Sequence, residues 1–245
     1  YDVIQDNHAN YLISTNEGIY EYDYQHFARI GCSEAKSNSV FNFVTDHDGN
    51  VYCCNLNHQV FRIRNGTCQL LYELQDDEVS SDISLAIGPD NTLLAAAKKI
   101  IAIDSEGKAL RRFAYPASHC GQPFALKNRF VIYHLPGKDS IVVANPNGFS
   151  TQKIIGFDHS MENLGLLSFF RIGGKSYAVD LSSKALYAFD ERLFSLRVLP
   201  HNPAFERSKS LRFYGVGDAT WVAGTLPGAF HFNQALESAQ FPLYY

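Results

Sequence analysis

A stretch near the start of the chain returns near its end without a gap. Residues 8–23 read His-Ala-Asn-Tyr-Leu-Ile-Ser-Thr-Asn-Glu-Gly-Ile-Tyr-Glu-Tyr-Asp, and residues 218–233 read Asp-Ala-Thr-Trp-Val-Ala-Gly-Thr-Leu-Pro-Gly-Ala-Phe-His-Phe-Asn. This register sets Trp221 over Tyr11, Thr225 over Thr15, Gly228 over Gly18, Phe230 over Tyr20 and Phe232 over Tyr22. The offset of 210 residues is five steps of 42, and weaker copies fill the interval. Asp23, Arg64, Asp104, Asn145, Asp190 and Asn233 each close the third segment of a copy, at intervals of 41, 40, 41, 45 and 43 residues. Such a repeat narrows the fold sharply, because each unit is one small supersecondary structure that buries its apolar surface only against its neighbours.

The recurring segments are short, β-branched or aromatic, and bounded by Gly, Asn, Asp or Pro, which excludes two-helix repeats. Each unit reads as four strands, in the first near 1–5, 10–15, 18–23 and 26–30. In the third of these, Ile19 and Glu21 take one face while Tyr20 and Tyr22 take the other. The same aromatic pairing returns at Tyr187 with Phe189 and at Phe230 with Phe232. The expected fold is all-β: a β-propeller of four-stranded antiparallel blades, six of them visible in 245 residues. Two forms stay open, a ring closed by direct packing of the first and last blades and a part of a longer or seven-bladed propeller. The whole chain, 1–245, is read as one propeller domain with units at approximately 1–38, 39–81, 82–121, 122–164, 165–208 and 209–245.

Charge excludes some partners. With 21 Lys and Arg against 25 Asp and Glu, the net charge of −4 offers no general attraction to nucleic acid, and no nucleic-acid partner is expected. No run of 18 apolar residues is present to span a membrane. The first residues lack both an initiating Met and a signal peptide, so either a signal was removed or the sequence starts inside a longer chain. The five cysteines are Cys32, Cys53, Cys54, Cys68 and Cys120, with no C-x-x-C spacing. Adjacent Cys53 and Cys54 point to opposite faces of a strand, and the odd count argues against a fully paired framework while leaving one disulfide open.

The sequence contains no phosphate loop, dinucleotide fingerprint, zinc-protease motif, EF-hand loop or hydrolase nucleophile elbow. Asp46-His47-Asp48-Gly49-Asn50 clusters carboxylates with a histidine, but the equivalent stretches Asp6-Asn7-His8-Ala9-Asn10 and Gly88-Pro89-Asp90-Asn91-Thr92 mark it as a repeated hairpin turn. No metal and no cofactor are expected from it. Thr15 and Thr225 are read as structural, bonding across to a neighbouring strand or blade, and Gly18 and Gly228 as relief of a tight turn. Trp221 is read as a filler between adjacent sheets, with a sugar-stacking platform as the alternative.

Loops converge where second-to-third strand turns and blade connections meet at one mouth of the channel. The turns offer Asn16, Glu17, His58, Lys98, Lys138 and Lys184; the connections offer His119, His159, Glu162, His201 and Arg207. Asn16, Glu17, His58, Lys98, Lys138, His159, Glu162, Lys184, His201 and Arg207 form the candidate ligand-binding set, a mixed polar ring suited to a hydroxyl-rich ligand or a protein surface. His119, His159 and His201 are spaced by 40 and 42 residues, which places them on consecutive blades, yet no acidic second shell is assignable to make them a metal centre. No catalytic residue is assigned.

Ile4-Gln5-Asp6, Tyr11-Leu12-Ile13-Ser14-Thr15, Asn16-Glu17-Gly18-Ile19 and Tyr20-Glu21-Tyr22-Asp23 together resemble the two-component-regulator propeller repeat; Trp221-Val222-Ala223-Gly224-Thr225 with Gly228 resembles it again. The resemblance implies an extracytoplasmic, periplasmic sensor segment of a membrane-anchored bacterial hybrid histidine kinase, tuned to an oligosaccharide. It also implies a neighbouring propeller or β-sandwich domain and a homodimer in the intact receptor. The expectation is therefore a non-catalytic sensing module. Its alternatives are a propeller enzyme acting on carbohydrate, lyase or hydrolase, and a protein-interaction scaffold.

Overall fold

The computed structural model describes residues 2–79, 83–88, 90–114, 123–126, 131–135, 140–144, 151–156, 167–172, 174–180, 183–200, 211–216, 219–224, 229–232 and 238–241. These residues form six four-stranded antiparallel sheets, each made of consecutive strands in chain order. The first blade comprises β1 (Val3–Gln5), β2 (Tyr11–Thr15), β3 (Gly18–Tyr22) and β4 (Phe27–Ile30), and the second β5 (Val40–Thr45), β6 (Val51–Asn55), β7 (Gln59–Arg64) and β8 (Thr67–Glu73). The third holds β9 (Ser84–Ile87), β10 (Leu93–Ala96), β11 (Lys99–Ile103) and β12 (Ala109–Ala114), and the fourth β13 (Phe124–Ala125), β14 (Val131–Leu135), β15 (Ser140–Ala144) and β16 (Thr151–Gly156). The fifth holds β17 (Leu167–Ile172), β18 (Lys175–Asp180), β19 (Leu186–Asp190) and β20 (Ser195–Val198), and the sixth β21 (Leu211–Val216), β22 (Ala219–Gly224), β23 (Ala229–Phe232) and β24 (Ser238–Phe241).

The expected blade architecture is present. β1 lies against β5, β5 against β9 and β9 against β13, while β17 touches β22 and β21 comes back beside β1. The first and last sheets therefore meet directly.

Period-two alternation sends each sheet's side chains into two interfaces. Leu12, Ile19 and Ile30 of the first blade pack with Val40, Phe43, Val51, Cys53, Phe61 and Ile63 of the second. On the opposite face of the second blade, Tyr52, Cys54, Val60 and Leu74 meet Leu85, Leu93, Ala95 and Ile101 of the third. Neighbours Cys53 and Cys54 thus serve different interfaces, and all five residues of β6 are buried.

Lateral hydrogen bonds repeat the period. In β5 a bulge between Phe41 and Val44 carries Asn42 at φ 58°, which releases the Phe43 N–H from the ladder. That N–H donates to Asp2 Oδ2 at 2.8 Å, and Asn42 Nδ2 donates to the Ile83 carbonyl, each across 41 residues. At the other end of the blades, Asn7 Nδ2 donates to the Asp48 carbonyl and Asn91 Nδ2 to Asp48 Oδ2. Gly49 takes the left-handed backbone (φ 79°) that favours glycine, and Asn7 reaches into the space where a Cβ would stand, 1.4 Å from its Nδ2. A disulfide joins Cys32, past β4, to Cys68 on β8, across 36 residues.

Phe61 is fully buried in the interface between the first two blades, whereas Phe27 is 66% exposed on β4. Phe61→Ala is expected to cost about 3–5 kcal/mol, against about 0.5 kcal/mol or less for Phe27→Ala, measured from denaturant midpoints. Reduction of Cys32–Cys68 frees a 36-residue loop in the unfolded chain and is expected to cost about 4 kcal/mol in the same measurement.

Candidate functional site

The blade geometry gathers the turns between second and third strands at one end with the connections from each blade to the next. In the first blade, Thr15 Oγ1 donates to the Gly18 carbonyl at 2.9 Å and accepts the Glu17 N–H at 3.0 Å. This turn presents Asn16 and Glu17 to solvent. His58 (φ 59°) takes the matching place in the second blade; its N–H donates to Asn55 O and its carbonyl accepts the Leu74 N–H. In the third blade the Lys98 N–H donates to the Glu78 carbonyl at 3.0 Å. The connection running from Leu74 to Glu78 therefore ties the His58 and Lys98 turns together. Lys184 (φ 63°) stands on the fifth blade, with its N–H on the Asp180 carbonyl.

Lys138, His159, Glu162, His201 and Arg207 lie outside the described residues, as do His119, Thr225 and Gly228. Trp221 lies on β22 and pairs with Tyr214 and His231 in the ladder.

Two polar clusters at this end had no signal in the periodicity. Asn55 and Gln59, both wholly buried, flank the His58 turn. Asn55 Nδ2 donates to the Ser37 carbonyl (3.2 Å) and to Gln59 Oε1 (2.9 Å); Gln59 Nε2 donates to the Glu34 carbonyl and Gln59 Oε1 accepts the Lys36 N–H. The connection between the first two blades is thus clamped by amides. Glu78, also wholly buried, receives Arg112 Nε from the third blade, Tyr72 Oη from the second and the Gln75 N–H of its own loop. Polar residues at strand ends and in connections look like solvated loop in a sequence, so only packing distinguishes these.

The electrostatics follow the contacts. Burial alone pushes the Glu78 carboxyl up, but the Gln75 N–H, Arg112 and Tyr72 together outweigh it and hold the group below its ordinary 4.5. Burial, reinforced by Glu78, pushes the Tyr72 phenol up. On the surface, Lys36 lowers Glu73 and Lys99 lowers Asp77, pairs that contribute little to stability in water.

The opposite end is committed to structure. Asp46 Oδ1 accepts the Asp48 and Asn50 N–H groups, and Oδ2 accepts Asn50 Nδ2 and Tyr52 Oη, at 2.7–3.0 Å. Asp6 and Asp104 accept the corresponding pairs of backbone N–H groups in their own turns. Four donors saturate the Asp46 carboxylate. Among the described residues, no three His, Cys, Asp or Glu side chains converge to hold a metal ion.

No protein-family model matches the sequence, and no curated protein matches it. Solved structures do match in fold. Virginiamycin B lyase from Staphylococcus aureus aligns over 100% of this chain and 84% of its own at 13% identity, with a TM-score of 0.77. Its catalytically inactive histidine-to-alanine variant with quinupristin aligns over 99% and 83% at 13% identity and a TM-score of 0.75. The extracellular domain of a hybrid two-component system protein from Bacteroides thetaiotaomicron aligns over 98% of this chain but 34% of its own, at 14% identity and a TM-score of 0.67. The chain therefore has distant structural similarity to extracellular domains of two-component proteins, and no helix among the described residues is long and apolar enough to cross a membrane.

These findings correct the expectation of a non-catalytic segment of a carbohydrate-sensing kinase. End to end, the propeller superposes on lyases. The missing catalytic motif did not argue against an enzyme, because blades 40 or more residues apart supply the groups that meet at a propeller mouth.

Because the folded-state value of Glu78 lies below the unfolded one, its stabilisation is complete above 4.5 and is lost as the pH falls through the folded value. Glu78→Gln is expected to be less stable than the wild type at neutral pH, with the gap narrowing below 4.5. Denaturant unfolding across pH tests this, and a gap independent of pH would remove Glu78 from the acid transition.

Proposed function

We propose that this propeller is a lyase working from its loop-rich mouth in an oxidising compartment outside the cytoplasm. The observation that carries the reading is the end-to-end match to virginiamycin B lyase, a protein in which one histidine-to-alanine change abolishes catalysis. The Cys32–Cys68 disulfide supports the compartment.

In an elimination, a base takes the proton from a carbon beside a carbonyl, a carbon–carbon double bond forms, and the bond to the leaving group breaks without water. A neutral imidazole suits both halves of that proton transfer, since it accepts the carbon-bound proton and its conjugate acid protonates the leaving group. His58 stands on the mouth-side turn of the second blade, and His119, His159 and His201 fall in the blade connections of the sequence. Lys98, Lys184 and Arg207 supply positive charge for the enolate oxygen that develops in the transition state. Any substrate must therefore carry an acidified C–H with a leaving group one carbon further on, a requirement that an acidic polysaccharide meets.

The test is turnover of quinupristin and of a polyuronate panel in water labelled with heavy oxygen. Elimination is expected to give a new ultraviolet-absorbing double bond and no label in the product. Replacing the responsible histidine with Ala is expected to slow turnover about 100-fold or more. Label in the product would assign a hydrolase instead, and unchanged rates in all four histidine variants would remove the histidine assignment.

A further inference from the structure

We propose that a cavity between the first and second blades, at the mouth-side end of their shared seam, binds a small carboxylate carrying an apolar body. The cavity holds about 400 Å³, within the range of small-ligand sites. Its floor is apolar and inaccessible: Ile19, Val40 and Phe61 are at most 4% exposed. Its only ionisable lining group among the described residues is Arg29. No carboxylate pairs with Arg29 among those residues.

The guanidinium lies beside the bare backbone of Gly18, where a Cβ would come within 3.2 Å of Arg29 Nε, and Arg29 is itself exposed at the cavity edge. The outer wall, residues 31–38, is held in shape at several points. Cys32 is tied to Cys68, the Ala35 N–H donates to the Cys32 carbonyl, and the buried Asn55 and Gln59 grip the backbone of Glu34, Lys36 and Ser37. Two fully buried amides and a disulfide thus fix an exposed loop, and a wall fixed beforehand spares a ligand the entropy of ordering it.

One arginine over an apolar floor selects the ligand chemistry. A carboxylate accepts two parallel hydrogen bonds from a guanidinium while its hydrocarbon body fills the cavity over the floor that Ile19, Val40 and Phe61 line. A phosphate, carrying more charge and more tightly hydrated, would need further cations that the lining does not provide. The carboxylate has two sources, a free aryl or alkyl acid and the C-terminus of a peptide.

Calorimetry and amide NMR on the oxidised full chain test the site with hydrocinnamate, the neutral hydrocinnamide, and a short peptide ending in a free phenylalanine carboxylate. Saturable binding by an acid is expected, shifting the Gly18, Ser33 and Ser37 resonances, with hydrocinnamide about tenfold weaker or more. Arg29→Gln is expected to weaken the acid to the level of the amide without moving the unfolding midpoint. Asn38→Trp, which fills the cavity from an exposed position, is expected to abolish binding. Preference for hydrocinnamate or for the peptide assigns the source and supports the site either way. Equal binding of acid and amide, unchanged affinity in Arg29→Gln, or no shift at these resonances with either acid would overturn it. Turnover at the mouth is a separate readout, so the failure of one reading leaves the other standing.

Discussion

A four-stranded sheet with apolar residues on both faces cannot fold alone, and every other feature of this protein answers that constraint. In the second blade the strand Val51–Asn55 is buried throughout, with Cys53 turned toward the first blade and Cys54 toward the third. Neither thiol is available for chemistry, because burial pushes both far up from their ordinary value. Apolar burial is non-directional and sets no register by itself. Register between blades comes from the lateral polar bonds, Asp2 to Phe43, Asn42 to Ile83 and Asn91 to Asp48, each spanning about one repeat.

The two ends of the blades divide the work. At one end, Asp6, Asp46 and Asp104 each accept two backbone N–H groups of their own turns, and Asp46 spends its second oxygen on Asn50 and Tyr52 as well. At the other, the connections leaving the first and second blades are anchored by buried polar groups, Asn55 with Gln59 and Glu78. Glu78 joins three segments from two blades, and its loop carries the backbone contacts that fix the His58 and Lys98 turns. Rigid sheets with anchored loops hold groups from neighbouring blades in a fixed relation to one another.

The cavity beside the first blade depends on the same anchoring. Asn55 and Gln59 lie in the second blade but shape the connection that leaves the first, so the wall of a surface cavity is set by the interior of its neighbour. The disulfide adds a covalent tie at the same seam.

Hydrophobic alternation and a period near 41 residues determined the fold class, the four-strand unit and the opposed faces of Cys53 and Cys54, because these are local properties that each repeat states again. The Asp46 turn was legible for the same reason, being one of several copies. The resemblance of residues 4–23 to a sensor repeat returns at the level of the fold, as distant structural similarity to extracellular domains of two-component proteins. Tertiary structure alone decided the rest: the closing contact of the first and last sheets, the pairing of Cys32 with Cys68, the burial of Glu78, and the amide clamp of Asn55 and Gln59. Each of these joins residues from different blades or from a blade and its connection. Nothing in a strand's own pattern records which polar side chain the next blade will cover, because that depends on packing between units and not on the sequence within one.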